Sequence, residues 1–272
     1  MLKIRSYVKV KSLAEAYEQN QKKTARVLGG TVWLKMSSQT ISTAIDLSGL
    51  GLDTVQETEE EFVIGCMTSL RDLETNERLN AYTHGAMKEC LRHIVGVQFR
   101  NCATVGGSIF GRYGFSDVLT IFLAMDTEVE LYSAGRIPLA EFVNMKKDRD
   151  ILVNVIVKKS PLLISYLSQR NSKTDFPVLT CAAALVDGEP RTVIGARPGR
   201  AVIVEDKKEI IKKFSEMTNK KRAQAILDFA EYASGNVCVG GNMRASREYR
   251  ALLVKVLAKS AWETVGGMNN EN

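Results

Sequence analysis

Apolar and polar positions alternate with two different periods along this chain, and the changes of period mark its elements. Ser12-Leu13-Ala14-Glu15 has the form of a capping box and predicts a short helix to about residue 22. Residues 25–28 read as a short buried strand running into Gly29-Gly30-Thr31 and a helix-like VWLKM segment. Residues 43–47 and 61–66 read as strands, and Thr68-Ser69 as the cap of a following helix. A helix is predicted over 83–94. VLTIFLAM then reads as a buried helix, EVELYS as an alternating strand, and ILVNVIV (151–157) as a strand paired with LLISYLS. VLTCAAALV (178–186) and RTVIGA (191–196) suggest a sheet, and the rest reads as helices over 206–218, 220–233 and 246–264. Mixed elements come first and a sheet followed by helices comes last, which predicts an α+β fold rather than a doubly wound parallel sheet. A domain boundary is expected near Ser160-Pro161.

Composition narrows the function more than the fold. The 272 residues are 45% hydrophobic and 25% charged, ordinary for a globular chain. No apolar run approaches the roughly 20 residues that span a bilayer, and the N-terminus lacks the apolar core of a signal peptide, so no membrane partner and a cytoplasmic location are expected. The net charge is +6, but the basic residues are scattered without interleaved aromatics, which argues against nucleic acid. Cys66, Cys90, Cys102, Cys181 and Cys238 form no C-x-x-C and are odd in number, so they read as buried free thiols. With only His84 and His93 besides, no metal site is expected.

Two short stretches carry the candidate chemistry. VLGGTVWL and TVGGS each place two glycines next to a hydroxyl residue, and both are expected to follow an extended segment. Glycine lets backbone N–H groups approach a ligand, and a run of such groups makes an anion site. Thr31, Thr104 and Ser108 add hydroxyls. Asp117, acceptor-only when ionised, suits a pair of sugar hydroxyls, or it caps the helix that follows. Two anion loops and one acid match a pyrophosphate bearing a ribose or ribityl chain, that is, a dinucleotide cofactor. Glycine pairs also serve turns and close packing, and neither loop is a G-x-G-x-x-G or Walker A sequence.

The pattern then resembles the FAD-binding (medium) subunit of the xanthine dehydrogenase and carbon monoxide dehydrogenase family of molybdenum hydroxylases, almost end to end. VLGGTVWLKM takes the place of the family's first flavin loop, and GCMTSLRDLE that of its Gly-Ala-x-Thr-Thr-Leu segment. RNCATVGGS followed by Ser116-Asp117 is similar to the second loop, Asp150-Ile151-Leu152 to its Glu-Ile-Leu, and MRASREYRALLVKVL to its C-terminal helix. The resemblance implies a two-subdomain FAD-binding fold (1–160, divided near residue 57) followed by a C-terminal α+β domain of antiparallel sheet and helices (161–272). It implies that Val27, Leu28, Gly29, Gly30, Thr31, Val32, Trp33 and Leu34, with Thr104, Gly106, Gly107 and Ser108, wrap the pyrophosphate of FAD. Asp117 would hold sugar hydroxyls, and Ile151 and Leu152 would border the flavin or adenine. Arg170 is the charge nearest to where the family's basic residue by the flavin ring should fall. The chain departs from the family at Val32 and Ser108, and GRYGF stands where a proline is usual.

As the resemblance implies, a molybdenum-cofactor subunit oxidises substrate, a [2Fe-2S] subunit relays electrons, and the FAD of this chain passes them to NAD. Nothing in the chain could hold the metal centres. A free-standing flavoenzyme on a related fold, or a flavin-free assembly subunit, remains an alternative reading of the same residues.

Overall fold

The structure is a computed structural model that describes residues 1–271. Its chain divides into two compact units. The first holds Met1–Leu73, Val97–Gly111 and Thr127–Lys158; the second holds Glu74–Gly96, Arg112–Asp126 and everything from Lys159 on.

In the first unit, strands β1 (Lys3–Lys9), β2 (Arg26–Leu28) and β3 (Thr40–Asp46) form a parallel sheet in the order β1-β3-β2. The helix Leu13–Asn20 follows β1. Ser12 caps it by accepting from the Glu15 N–H at 3.1 Å, and Glu15 reaches back to the N–H of Lys11 at 2.8 Å, one residue earlier than the box predicts. The stretch read as a buried strand, 25–28, is an edge strand: Ala25 is buried, but Arg26 is exposed. The second sheet is antiparallel throughout, built from β4 (Val55–Glu57), β5 (Glu61–Gly65), β6 (Thr127–Leu131), β7 (Gly135–Pro138) and β8 (Leu152–Lys158) in the order β4-β5-β8-β6-β7. β6 alternates buried and half-buried as its pattern predicts. The central β8 is nearly all buried, with Val155, Ile156 and Val157 at its core.

The second unit is a four-stranded antiparallel sheet, β12-β11-β10-β9, of β9 (Leu162–Arg170), β10 (Pro177–Val186), β11 (Glu189–Gly195) and β12 (Val202–Ile203). β10 is buried at all ten positions. The helices Asn219–Asn236 and Arg247–Glu271 enclose Leu179, Cys181, Ala183 and Leu185 with Phe214, Phe229 and Trp262. The alternate residue Thr180 meets Thr120 of the buried helix Asp117–Ala124, hydroxyl to hydroxyl at 2.9 Å. A strand covered on both faces loses the alternation of a half-buried one and reads as a continuous apolar run.

Three expectations fail here. LLISYLS does not pair with ILVNVIV: β8 lies between β5 and β6, and β9 pairs with β10. Residues 206–218 form no α-helix but turns and a single 3₁₀ turn, Phe214–Glu216. Buried Ile211 and Phe214 supply the helix-like spacing, while Glu209 (φ 54°) and Lys213 (φ 59°) break the chain into left-handed turns. The helix expected over 83–94 is shorter, only Ala86–Leu91, and the left-handed residues His84 (φ 49°) and Gly85 (φ 79°) part it from the preceding helix Glu77–Tyr82.

Arg250 of the MRASREYR segment organises the end of the second unit. Its guanidinium is fully buried and donates to the carbonyls of Val178 (2.9 Å), Gly240 (3.0 Å) and Ala245 (2.7 Å) and to Asn242 Oδ1 (2.6 Å). Arg250→Met should leave these acceptors unpaired and lower the unfolding free energy by about 3 kcal/mol, roughly two lost charged hydrogen bonds; a urea midpoint equal to the wild type would refute it.

Candidate functional site

The structure brings the two glycine stretches of the first unit together, but in unequal roles. TVGGS is not a loop after an extended segment. Val97–Cys102 before it is a helix, and Val105–Gly111 is another that contains both glycines. The backbone N–H groups of Val105 to Ser108 are all engaged within the unit. Val105 N–H donates to the Thr68 carbonyl (3.0 Å), Gly106 N–H to that of Cys66 (2.9 Å), Gly107 N–H to Thr104 Oγ1 (3.1 Å) and Ser108 N–H to the Thr104 carbonyl (3.1 Å). The Ser108 hydroxyl also donates to that carbonyl, at 3.1 Å. Thr104 thus caps the helix, as its hydroxyl suits it to do.

The glycines here answer to close packing. A Cβ on Gly30 would lie 1.7 Å from the Cys102 carbonyl oxygen, and one on Gly106 would lie 2.6 Å from that of Cys66. A Cβ on Gly29 would come 2.8 Å from Thr104 Oγ1, with Gly107 Cα at 3.8 Å behind it. Gly107 is exposed, and a Cβ there would meet only Thr104 Oγ1, at 3.1 Å. Trp33 rests its ring against Phe99 at 6.5 Å, edge to face.

The first stretch is the one with open donors. Val27 through Leu34 are half-buried, and among the described residues the N–H groups of Gly30, Thr31 and Val32 have no acceptor. Thr31 is left-handed (φ 56°), and its carbonyl accepts from the Lys35 N–H at 2.9 Å, opening the 3₁₀ turn Leu34–Met36 that replaces the predicted helix. A left-handed residue in a tight turn lets successive N–H groups face one concavity, which binds anions. Half-buried N–H groups without acceptors beside the Thr104 hydroxyl fit a pyrophosphate. Ile151 and Leu152, by contrast, are buried at the start of β8.

Asp117 and Arg170 belong to the second unit and meet there. Asp117 is buried, and its Oδ1 accepts from the Tyr166 hydroxyl at 2.5 Å and from the Arg170 guanidinium. Arg170 also donates to Ser168 Oγ (3.3 Å) and the Asp175 carbonyl (2.6 Å). Asp117 does not cap its helix; Ser116 does, accepting from the Leu119 N–H at 3.0 Å. Burial pushes the Asp117 carboxyl up to about 6, against the opposing pull of Arg170 and Tyr166. Cys90 stands beside this pair, its thiol pushed up by burial and by the Asp117 charge. The sequence reading missed Tyr166, although Tyr166, Ser168 and Arg170 share one face of a strand by their spacing of two. Three of the five cysteines are buried as expected. Cys66, Cys90 and Cys181 are buried, with the thiols of Cys66 and Cys181 pushed up to about 12 by burial, whereas Cys102 and Cys238 are exposed.

Comparison with known proteins assigns the class. Residues 2–159 match the family described as the FAD binding domain in molybdopterin dehydrogenase. That covers more than half of the chain, and the chain belongs to this family, whose cofactor is FAD. The protein YgfM of Escherichia coli K12, described as uncharacterized, is 28% identical over 144 residues, 53% of this chain and 54% of YgfM, as is its counterpart in strain O157:H7. The chain therefore spans about half the length of the curated relatives it matches. Among solved structures, carbon monoxide dehydrogenase of Hydrogenophaga pseudoflava lacking the Mo-pyranopterin moiety is 19% identical with a TM-score of 0.80, covering 97% of this chain and 96% of that one. Quinoline 2-oxidoreductase of Pseudomonas putida 86 is 18% identical (TM-score 0.80, 99% and 98%), and reconstituted CO dehydrogenase of Oligotropha carboxidovorans is 18% identical (0.82, 98% and 98%). These likenesses show the α+β fold expected of the sequence.

Two expectations follow. Gly30→Ala should unfold or severely destabilise the chain, while Gly107→Val, on an exposed position where a Cβ meets only Thr104 Oγ1, should leave apo-protein melting near wild type and lower FAD content by crowding that hydroxyl; the reverse ranking by thermal melting and flavin absorbance would refute both roles. Asp117 should titrate near pH 6 by carboxyl ¹³C NMR. Its folded value lies above the roughly 3.9 of an unfolded Asp, so its contribution to stability is full below about pH 4 and is lost as pH rises through about 6. A midpoint at or below 4 would show that the Arg170 pairing outweighs burial.

Proposed function

We propose that the chain is the FAD-binding subunit of a xanthine dehydrogenase-like molybdenum hydroxylase. In this reading it receives electrons from the iron–sulfur centres of a [2Fe-2S] subunit, themselves reduced by a molybdenum-cofactor subunit, and passes them to NAD. The observation that carries the flavin role is the half-buried turn at Gly30–Val32, with open N–H donors, inside the region matched to an FAD-binding family. Bound there, the flavin supplies the two-electron redox chemistry, and the protein supplies position and electrostatics.

Each residue's part follows from its chemistry. The N–H groups of Gly30, Thr31 and Val32 and the Thr104 hydroxyl donate to the pyrophosphate. Thr104–Ser108 holds that turn from behind rather than adding backbone donors of its own. Asp117 as acceptor for sugar hydroxyls, Ile151 and Leu152 at the flavin or adenine, and Arg170 as the charge near the flavin remain parts of the proposal that follow from the family resemblance. Among the described residues no group of His, Cys, Asp and Glu is placed to hold a metal ion, and no helix is long and apolar enough to cross a membrane. Five cysteines, none in a disulfide, support a reducing, cytoplasmic compartment.

The purified chain should be yellow with FAD near one per chain, and NADH should bleach it and support reduction of an artificial dye. Xanthine, other purines, nicotinate and CO should leave the flavin oxidised until molybdenum and iron–sulfur subunits are added. Flavin reduction by any of those substrates with the chain alone would overturn the subunit reading in favour of a free-standing flavoenzyme.

A further inference from the structure

The C-terminal helix Arg247–Glu271 has two unlike faces. Its inner face is the core of the second unit: Arg250, Leu253, Val254, Ala258, Ala261, Trp262 and Val265 are all buried. On the opposite side stand Tyr249, Leu252 and Val256, 43%, 55% and 47% exposed. Their spacing of three and four residues sets them in one stripe, and 100° per residue puts that stripe farthest from the buried face. A surface position chosen for solubility alone would not be Leu at the outermost point with Val one turn on. Single exposed apolar residues need no explanation, but an ordered stripe of three does.

The charges flanking the stripe indicate its occupant. Glu248 lies at the N-terminal end of the stripe, and Lys255 and Lys259 lie along the same side towards its C-terminal end. Glu248 and Lys259 are eleven residues apart, so on one helix they stand about 16 Å from each other and cannot pair. Within the chain Lys259 faces Glu263 at 3.7 Å, and Lys255 pairs with Glu231. When an identical helix is laid antiparallel, with the two-fold axis midway between Leu252 and Val256, the picture changes. Leu252 of each copy meets Val256 of the other, Tyr249 covers the end of the stripe, and Glu248 of each copy meets Lys259 of the other. The flanks carry both signs in the order that inversion matches, so they suit a two-fold copy rather than a partner of one charge.

We propose that the outer face of this helix is an isologous interface on which two copies of the chain pair antiparallel through Tyr249, Leu252 and Val256, with Glu248 of each against Lys259 of the other. A two-fold contact repeats each interaction, so even a small patch counts twice. Its extent is that of a small, reversible interface.

Analytical ultracentrifugation of the full chain tests it. Wild type should be predominantly dimeric at about 100 μM and monomeric near 1 μM, as suits a small interface. Leu252→Glu should be monomeric throughout, with melting temperature and FAD content unchanged because the position is exposed. Lys259→Glu should weaken the dimer about tenfold or more, since it sets two carboxylates against each other twice. The double variant Glu248→Lys/Lys259→Glu should recover most of that loss. Recovery is the decisive outcome, because the two residues cannot touch within one chain. A wild type that stays monomeric at about 100 μM, or a double variant no better than the single one, would overturn the proposal.

Discussion

No side chain fits between Gly30 and the carbonyl of Cys102, and the candidate site depends on that approach. A methyl group there would overlap the oxygen outright, at 1.7 Å. The contact presses the turn after β2 against the end of the helix Val97–Cys102, and the Gly106–Cys66 contact seats the next helix against the end of β5 in the same way. Once the backbone is drawn in this closely, the donors divide. Those of Val105 to Ser108 close on carbonyls and on the hydroxyl of Thr104, while those of Gly30 to Val32, around a left-handed Thr31, take no acceptor among the described residues. An open row of N–H groups needs a stiff backing, because a flexible turn would lose conformational entropy on binding. The second glycine pair provides that backing.

The second unit is held by buried charge as well as by apolar contact. Arg250 is buried against three carbonyls and an amide oxygen, with no carboxylate partner among the described residues, and Asp117 is buried against Arg170 and Tyr166. Such groups cost much to desolvate and more to leave unpaired, so each restricts the backbone around it to one arrangement. Arg250 ties the segment Gly240–Ala245 to the first residues of β10, and Arg244 of that segment lies over the Phe176 ring at 4.6 Å. The aromatic residues of GRYGF continue the same cluster, with Phe115 stacked on Tyr113 at 5.2 Å and edge-on to Phe176 at 4.7 Å. The stretch that stands in place of the usual proline is thus stiffened by ring packing.

The element types and the family were legible in the sequence because they rest on local chemistry. Alternation marked β6, an apolar run marked the helix Asp117–Ala124, and two glycine pairs with their hydroxyl residues marked the stretches that meet in the first unit. Arg170 and Asp117 were both singled out, for roles assigned separately. Left-handed breaks at His84, Glu209 and Lys213 were not legible, because none of these residues announces that conformation and apolar spacing on either side imitates a continuous helix.

What only the tertiary structure decided is which partner each local feature takes. Periodicity says that ILVNVIV and LLISYLS are strands, but not that one joins β5 and β6 while the other joins β10. Strand pairing is set by the whole sheet and carries no local mark. Composition says that Gly29, Gly30, Gly106 and Gly107 leave room for something. Only the folded chain shows that carbonyls fill that room at Gly30 and Gly106, that a neighbouring hydroxyl approaches Gly29 and Gly107, and that the open donors lie beside them on Gly30, Thr31 and Val32. By itself the sequence determined most of the kinds of elements, two glycine pairs as candidates for an anion site, and the family the chain belongs to. The fold decided which of those residues still have a hydrogen to give, because a donor is available only when no nearer acceptor has claimed it.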